Sequence, residues 1–462
     1  MDDGERSTGE STRQNRHDSK EQTYRQEVEQ RMKKENVAFL QLQFTDLFGM
    51  VKSITLPADR LDDALTHGAW FDGSSIEGFA RIQESDMRLK PDLSTYARVP
   101  WLDSEKGNTA RFICDVVNPD GSPFVGDPRY VLHRAVQHAK ESGFTYCAGP
   151  ELEFFLLKEN GHGHLPHDDA SYFDNTTDLA HKIRNDMLLT LRAVGITDEA
   201  AHHEVAVGQH EIDFMYDEAM KTADNTITVK SVIKAVAEQH NLYATFMPKP
   251  FFGMNGSGMH IHQSLFMNGK NAFYDERDPY KLSPLAKQFI AGQLEHARAM
   301  SAILSPLVNS YKRLVPGYEA PVYIVWASNN RSALIRVPKI PEGKSSSSRA
   351  ELRCPDPSAN IYLALAVMLE AGLDGIRKQA TIPSPFEENM YHLNDAQRAQ
   401  QHIAMLPGSL GEAIGVLEQD AVIRNALGGH IIERYGAAKR KECDAFRTAV
   451  TDWEVHKYLS RY

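Results

Sequence analysis

Cysteine is scarce. Cys114, Cys147, Cys354 and Cys443 are the only four in 462 residues, far apart and without a CxxC pair. That excludes a disulfide framework and a zinc knuckle, and it fits a reducing cytoplasm. Positive charge is also short: 51 Lys and Arg face 62 Asp and Glu, a formal net charge of −11. A general nucleic-acid binder needs a basic face to neutralise phosphates, so none is expected. An anionic membrane surface is excluded as a partner for the same reason. Long apolar runs are missing; the most apolar segment, Ile361 to Ile376, is interrupted by Glu370, so no membrane span is expected. The polar N-terminus lacks the apolar stretch of a secretory signal. A Walker A motif is absent, because Gly343-Lys344-Ser345 has Pro338 where the motif requires glycine. What is present is ordinary: 42% hydrophobic and 24% charged residues, enough for a sizeable core.

Residues 1–34 are polar and almost free of aliphatics, which reads as a disordered tail with some helical tendency near Glu27–Lys34. Order is expected from Asn36. Leu40, Leu42 and Phe44 alternate with Gln41 and Gln43, the pattern of a half-buried strand. Thr45-Asp-Leu-Phe-Gly49 turns the chain into a second strand, Val51 to Leu56, closed by Pro57. Another strand over Arg111–Val117 ends at the turn Asn118-Pro-Asp-Gly121. A small, mostly β domain is therefore expected over 35–120, followed by one large α+β domain over 121–462. In the latter, Asp127, Pro128 and Gly143 bracket a helix. Leu179, Ile183, Met187 and Leu191 mark a second, amphipathic one. Strands are expected at Ala148–Leu157 and Tyr243–Phe246. The run Ser345–Ser348 reads as a mobile loop.

Several segments carry ionisable residues at strand spacing. In Gly149-Pro-Glu-Leu-Glu-Phe-Phe155, Glu151 and Glu153 fall on one face of a strand. Two adjacent carboxylates repel unless cations lie between them. The plain reading is a solvated face; with Leu152 and Phe154 on the other side, a lined cavity is the alternative. His202-His-Glu-Val-Ala-Val-Gly-Gln-His-Glu-Ile-Asp213 adds Glu204 and Glu211 around a glycine turn. Asn255-Gly-Ser-Gly-Met-His-Ile-His-Gln-Ser264 puts His260, His262 and Ser264 on one strand face, and Glu351-Leu-Arg353 repeats the alternation. A site rich in carboxylates with one or two histidines selects Mg²⁺ or Mn²⁺ over zinc. Arg313, Arg331, Arg336, Arg349 and Arg353 add planar donors for phosphate and carboxylate, although any one of them alone reads as a surface ion pair. Glu319 lies in a Pro- and Gly-punctuated segment, Tyr311 to Pro321, suited to a lid.

Four segments together resemble class I glutamine synthetase: Phe71-Asp-Gly-Ser-Ser-Ile-Glu-Gly-Phe79, Gly149-Pro-Glu-Leu-Glu-Phe154, Asn255-Gly-Ser-Gly-Met-His260, and Asn309-Ser-Tyr-Lys-Arg-Leu-Val-Pro-Gly-Tyr-Glu-Ala-Pro321. The resemblance spans 36–462. It implies a β-grasp N-terminal domain and a catalytic domain on a curved antiparallel sheet with helices. It also implies a dodecamer of two stacked hexameric rings with active sites between subunits. The implied reaction phosphorylates glutamate with ATP to a γ-glutamyl phosphate, from which ammonia displaces phosphate. By position, one metal site resembles Glu153, Glu204 and Glu211, and the other Glu151, His260 and Glu351. Arg313, Asn255 and Gly256 take the glutamate-binding roles. Arg331 and Arg336 take the nucleotide phosphates, Arg353 the transferring group, and His262 and Ser264 the ATP side. Asp46 of a neighbouring subunit, with Tyr172 and Glu204, is expected at the ammonium position, with Asp72 on the same side. Glu319 is expected to close the site and accept a proton.

The segment Glu388-Asn-Met-Tyr-His-Leu393 departs from the motif of the adenylylated branch, and Ser346 stands where that branch has a lysine phosphate contact. The resemblance is therefore to the non-adenylylated, feedback-inhibited α branch, and it gives Arg81 a regulatory role. The plain reading of Arg81 is an ion pair with Glu84. Two rival functions remain: a γ-glutamyl ligase acting on a polyamine or ethanolamine, and a non-catalytic homologue. The first is expected to alter the ammonium pocket, the second to lose metal ligands.

Overall fold

The computed structural model describes residues 22–76, 78, 86–159, 163–317, 320–388, 395–401 and 403–462. The strands, in chain order, are β1 (Val37–Thr45), β2 (Val51–Pro57), β3 (Ala69–Asp72), β4 (Asp86–Pro91), β5 (Ala97–Arg98) and β6 (Asn108–Val117), then β7 (Thr145–Glu159), β8 (His164–Pro166), β9 (Asp198–His203), β10 (Gln209–Phe214), β11 (Asp217–Glu218), β12 (Tyr243–Thr245), β13 (Met259–Met267), β14 (Lys270–Asn271), β15 (Tyr323–Ala327), β16 (Ala333–Arg336) and β17 (Ala350–Leu352). They form two sheets. The small one runs β2-β1-β6-β4-β3, with β5 against β6. The large one runs β15-β16-β17-β13-β7-β10-β9, with short strands added to β7 and β13.

The small sheet begins with the alternation read above. Leu40, Leu42 and Phe44 are buried and share a core with Phe112, Cys114 and Leu89. That core also takes Val28 and Met32 from a helix over 22–34. The helical tendency expected near Glu27–Lys34 is present as a helix that starts earlier, at residue 22. Two aliphatics four residues apart make a narrow apolar stripe, and it is covered by residues of a sheet that comes later in the chain. The helix is tied down further by the Tyr96 hydroxyl donating to Glu35 at 2.7 Å, and by Arg31 stacked 4.5 Å over the Tyr96 ring.

In the large region, helix Pro128–Glu141 forms as its signals demand. The Asp127 side chain accepts the Arg129 N–H, Pro128 opens the first turn, and the chain leaves through Gly143 at φ 83°. Helix His181–Ala193 buries Ile183, Met187 and Leu191. Leu179 precedes the helix and is exposed, so the expected stripe loses its first member. The long helices Pro284–Leu304 and Ile361–Arg377 back the large sheet and touch along a glycine seam. A Cβ on Gly292 would come within 2.2 Å of the Ala371 carbonyl, and one on Gly375 within 2.2 Å of the Gln288 carbonyl. Ser345–Ser347 is a short 3₁₀ turn, and Asn271 Nδ2 donates to the carbonyls of Ser346 and Ser348. The expected mobile loop is thus a tethered one.

Both sheets are mixed. β1 pairs with β6 in parallel, and β15 pairs with β16 in parallel. The remaining pairings of the large sheet are antiparallel, in line with the expected antiparallel catalytic sheet, with β15–β16 a parallel pairing at its edge. Arg129 joins the two regions. Its guanidinium meets Asp92 and Asp115 beside the small sheet and grips both oxygens of Asp224 on helix Ala219–Gln239 at 3.1 and 3.0 Å. Asn360 adds a second tie, donating from Nδ2 to the carbonyls of Asp46 and Leu47.

Candidate active site

Strand register assembles the site. On β7, Leu152, Phe154 and Leu156 are fully buried in the main core, which turns Glu151 and Glu153 to the opposite face. β10 sets Glu211 directly across from Glu153 and Asp213 across from Glu151. On the other edge of β7, β13 sets His260 across from Glu151. β17 then sets Glu351 across from His262, and β16 sets Arg336 across from Glu351. Like charges directly opposite on neighbouring strands are destabilising. Two such carboxylate pairs side by side are relieved either by positive charge between them or by a proton on one member of each pair.

The side chains meet as the register directs. His260 Nδ1 lies 3.1 Å from Glu151 Oε2 and 3.8 Å from Glu351 Oε1, while its Nε2 lies 3.9 Å from Glu153 Oε1. His262 Nε2 lies 2.6 Å from Glu151 Oε1. Glu153 Oε2 accepts the Gly258 N–H at 2.8 Å and Gln209 Nε2 at 3.0 Å. His202 links the remaining pair, 3.1 Å from Glu211 and 3.5 Å from Glu204. Arg336 and Arg353 both pair with Glu351.

The electrostatics follow from burial and crowding. Burial, reinforced by Glu153, Glu151, Glu204 and Glu351, pushes the Glu211 carboxyl well above the usual range. Asp213 is pushed up to about 9, first by burial and then by Glu211 and Glu151. Burial acts the same way on Glu151, but hydrogen bonds with His260 and His262 outweigh it and hold that carboxyl well below its ordinary value. Anionic oxygens with a single adjoining imidazole suit hard divalent cations better than zinc. Among the described residues, three His–carboxylate triplets converge here: Glu151–His262–Glu351, Glu151–Glu211–His260 and His202–Glu204–Glu211.

Two adjoining cavities open on this face, both lined by Glu151. The first, about 300 Å³, is lined by the carboxylates Glu153, Glu204, Glu211 and Glu351 together with His260. Tyr172, Asn255, Gly256, Arg313, Arg331, Arg336 and Arg353 also border it. Gly256 is required there, since a Cβ would come within 2.2 Å of the Pro248 carbonyl. The second cavity, about 400 Å³, is lined by His262 and Ser264, with Arg349, Lys344, Tyr216 and Asp213.

Four expected residues are not placed there. Glu319 and Arg81 lie outside the described residues. Asp46 borders neither cavity. It is 5% exposed, its Oδ1 accepts the N–H groups of Phe48 and Met50, and its Oδ2 faces Lys52 at 3.4 Å. Its carboxylate shapes the β1–β2 turn. Asp72, by contrast, is exposed at the end of β3, where Ser74 and Ser75 donate to its carboxylate and lower its pKa. Sequence reading passed over His202, Gln209 and Asp213. The signal for the last two was the same two-residue period that gave Glu211.

Residues 125–458 match the glutamine synthetase catalytic domain family, and residues 36–119 match the glutamine synthetase beta-Grasp domain family. A glutamine synthetase of Thermus thermophilus is 52% identical over 444 residues, 94% of this chain and 99% of its own. One from Thermotoga maritima is 52% identical over 433 residues, 93% of this chain and 98% of its own. Among solved structures, a GmaS–ADP complex superposes with a TM-score of 0.84 at 31% identity, covering 93% of this chain and 98% of that one.

Proposed function

The chain belongs to the glutamine synthetase family, and from that premise we propose how its residues divide the ATP-dependent ligation of ammonia to L-glutamate. The products are glutamine, ADP and phosphate. Glutamate's side-chain carboxylate is a poor acyl donor, so the proposed route passes through a γ-glutamyl phosphate, whose phosphate is the leaving group. The observation that carries the reading is the opposed pair Glu153–Glu211 with Glu151 and Glu351 beside it, faced by Arg336 and Arg353 in one cleft.

Glu151, Glu153, Glu204, Glu211, His260 and Glu351 would hold two divalent ions, Mg²⁺ or Mn²⁺, and these supply Lewis-acid charge to polyanionic reactants when bound. Arg313 is aimed for the α-carboxylate of glutamate. It is 4% exposed, and its fork is fixed by donating to the Cys354 carbonyl at 2.9 Å and the Arg353 carbonyl at 3.2 Å beside Asn255 and Gly256. Arg331 and Arg336 neutralise nucleotide phosphates, and Arg353 the transferring phosphoryl group. His262 and Ser264 line the cavity assigned to the rest of ATP. Tyr172 and Glu204 border the ammonium end. Glu319 is proposed as the closing residue and proton acceptor, and Arg81 as the residue that couples bound glutamine to inhibition.

An assay with ATP and glutamate that compares ammonia with a panel of amines tests the reading. Turnover with ammonia several-fold above every amine is expected, and a preference for ethanolamine or a polyamine would overturn it.

We propose Asp72 for the ammonium role in place of Asp46, whose buried carboxylate accepts two backbone N–H groups and faces Lys52. Asp72 borders neither cavity of its own chain, which supports an assembly in which the small sheet of one subunit completes the site of the next. A dodecamer of two hexameric rings is the proposed form. The C-terminal residues Trp453, Leu459 and Tyr462 are 62%, 78% and 101% exposed, an apolar end that favours burial between subunits. Light scattering should report a large ring assembly, and an active monomer would contradict it. Ammonium is protonated at neutral pH, and a carboxylate both attracts it and favours loss of its proton. Asp72→Asn is therefore expected to weaken ammonia saturation by about a hundredfold while glutamate saturation changes little. Equal damage to both would count against the assignment. Asp46→Asn should instead lower the thermal midpoint, through the turn.

A further inference from the structure

Behind the carboxylate face, between β9, β10 and the chain after β8, lies a second polar cluster that no step above uses. Asp168, His203 and His210 are 4%, 1% and 0% exposed. His203 sits at the end of β9 immediately before Glu204, and both of its ring nitrogens are occupied. Nδ1 meets the Glu204 carbonyl at 2.6 Å, and Nε2 meets Asp168 Oδ1 at 3.0 Å. The same Asp168 oxygen accepts the Gly208 N–H at 3.0 Å. One carboxylate oxygen thus holds both ends of the turn 204–208.

That turn has little freedom left. Glu204 N–H donates to the Gln209 carbonyl at 2.8 Å, and Gln209 N–H to the Ala206 carbonyl at 3.0 Å. Gly208 sits at φ 67°, and a Cβ there would come within 2.9 Å of Pro166. The turn carries Glu204 at its start. It delivers Gln209, which donates to Glu153, and then Glu211, which faces Glu153 across the strands. The orientation of three carboxylates therefore depends on where this turn sits.

We propose that Asp168 and His203 are positioning residues, a buried brace that fixes the 204–208 turn so that Glu204 and Glu211 present their carboxylates to a divalent cation. The inference rests on the two-ion reading of the site. Partners one shell behind metal ligands orient them, and losing one commonly weakens metal affinity 10- to 100-fold. A residue that served only the packing of the fold would not act through one particular ligand, and that difference is measurable.

The test is a Mn²⁺ titration of the full chain by calorimetry or electron paramagnetic resonance, without substrates. Asp168→Ala is expected to weaken one class of Mn²⁺ site by about 10- to 100-fold and to leave the other class within about twofold of the parent. In a Glu204→Ala background, Asp168→Ala should add a clearly smaller loss than it causes in the parent, because only Glu211 is then left for the brace to orient. Parent-like Mn²⁺ affinity in Asp168→Ala would overturn the proposal, and so would an undiminished loss in the Glu204→Ala background. His203→Gln serves where Asp168→Ala does not fold, with an expected loss of about tenfold, and parent-like binding by that variant overturns the proposal equally. A parent protein that binds no Mn²⁺ would instead overturn the two-ion reading, an outcome separate from either variant result.

Discussion

Glu153→Ala is expected to lower turnover about a thousandfold, the rate equivalent of roughly 4 kcal/mol of lost transition-state stabilisation. The residue is central in three ways. It stands directly across from Glu211, its Oε1 faces His260, and its Oε2 is held by Gly258 N–H and Gln209. Two hydrogen bonds on one oxygen leave the other directed at the cleft, so the group is pre-oriented before any reactant arrives. ATP, glutamate and the transferring phosphoryl group are all anionic, and the chain places its own carboxylates among them. The arrangement favours reaction only with cations in the cleft. Chelation of divalent ions should therefore mimic Glu153→Ala, and re-addition of Mg²⁺ or Mn²⁺ should restore the parent but not the variant. Full turnover in chelator would sink both the variant prediction and the two-ion reading.

The carboxylate face was legible in sequence because its information is local. Glu151 and Glu153, His260 and His262, and Glu351 and Arg353 each reveal a shared strand face by their two-residue spacing. Which strand lies beside which is not local, and only the resemblance to a family joined the segments. Direction is equally invisible: nothing in Tyr323–Ala327 or Ala333–Arg336 says that β15 and β16 run in parallel. The packing of the helix over 22–34 escaped for the same reason, since Val28 and Met32 share a core with Leu40, Leu42 and Phe112, residues of the sheet that follows. Asp46 is a different case. Its neighbours Leu47, Phe48 and Gly49 already describe a turn, and Asp at the first position of a turn commonly accepts the N–H two residues on. That local commitment is what the structure shows: one carboxylate oxygen takes two backbone N–H groups and the other faces Lys52.

Arg353→Lys should also cost about a thousandfold, but almost wholly in kcat. Arg353 is 7% exposed at the end of β17, with Nε 3.2 Å from Glu351 Oε1 and Nη1 donating to the Arg331 carbonyl. Its own carbonyl accepts from Arg313, so the Arg313 side chain holds the Arg353 backbone in place. A lysine ammonium can approach Glu351 or the Arg331 carbonyl but has no planar fork to serve both and still face the cleft. Charge is conserved in this substitution, so ground-state attraction of ATP and glutamate should persist and their KM values should move only a few-fold. What is lost is alignment against the phosphoryl group at the moment its charge spreads over the equatorial oxygens. Arg336 offers the contrast. It shares Glu351 but is half-buried at the cavity wall, with its side chain 26% exposed, and Arg336→Lys should raise the KM for ATP more than it lowers kcat. Steady-state kinetics on the two variants separates these outcomes. If Arg353→Lys raised KM while leaving kcat intact, its guanidinium would be a binding group for the ground state, and the transition-state role would belong elsewhere in the arginine cluster.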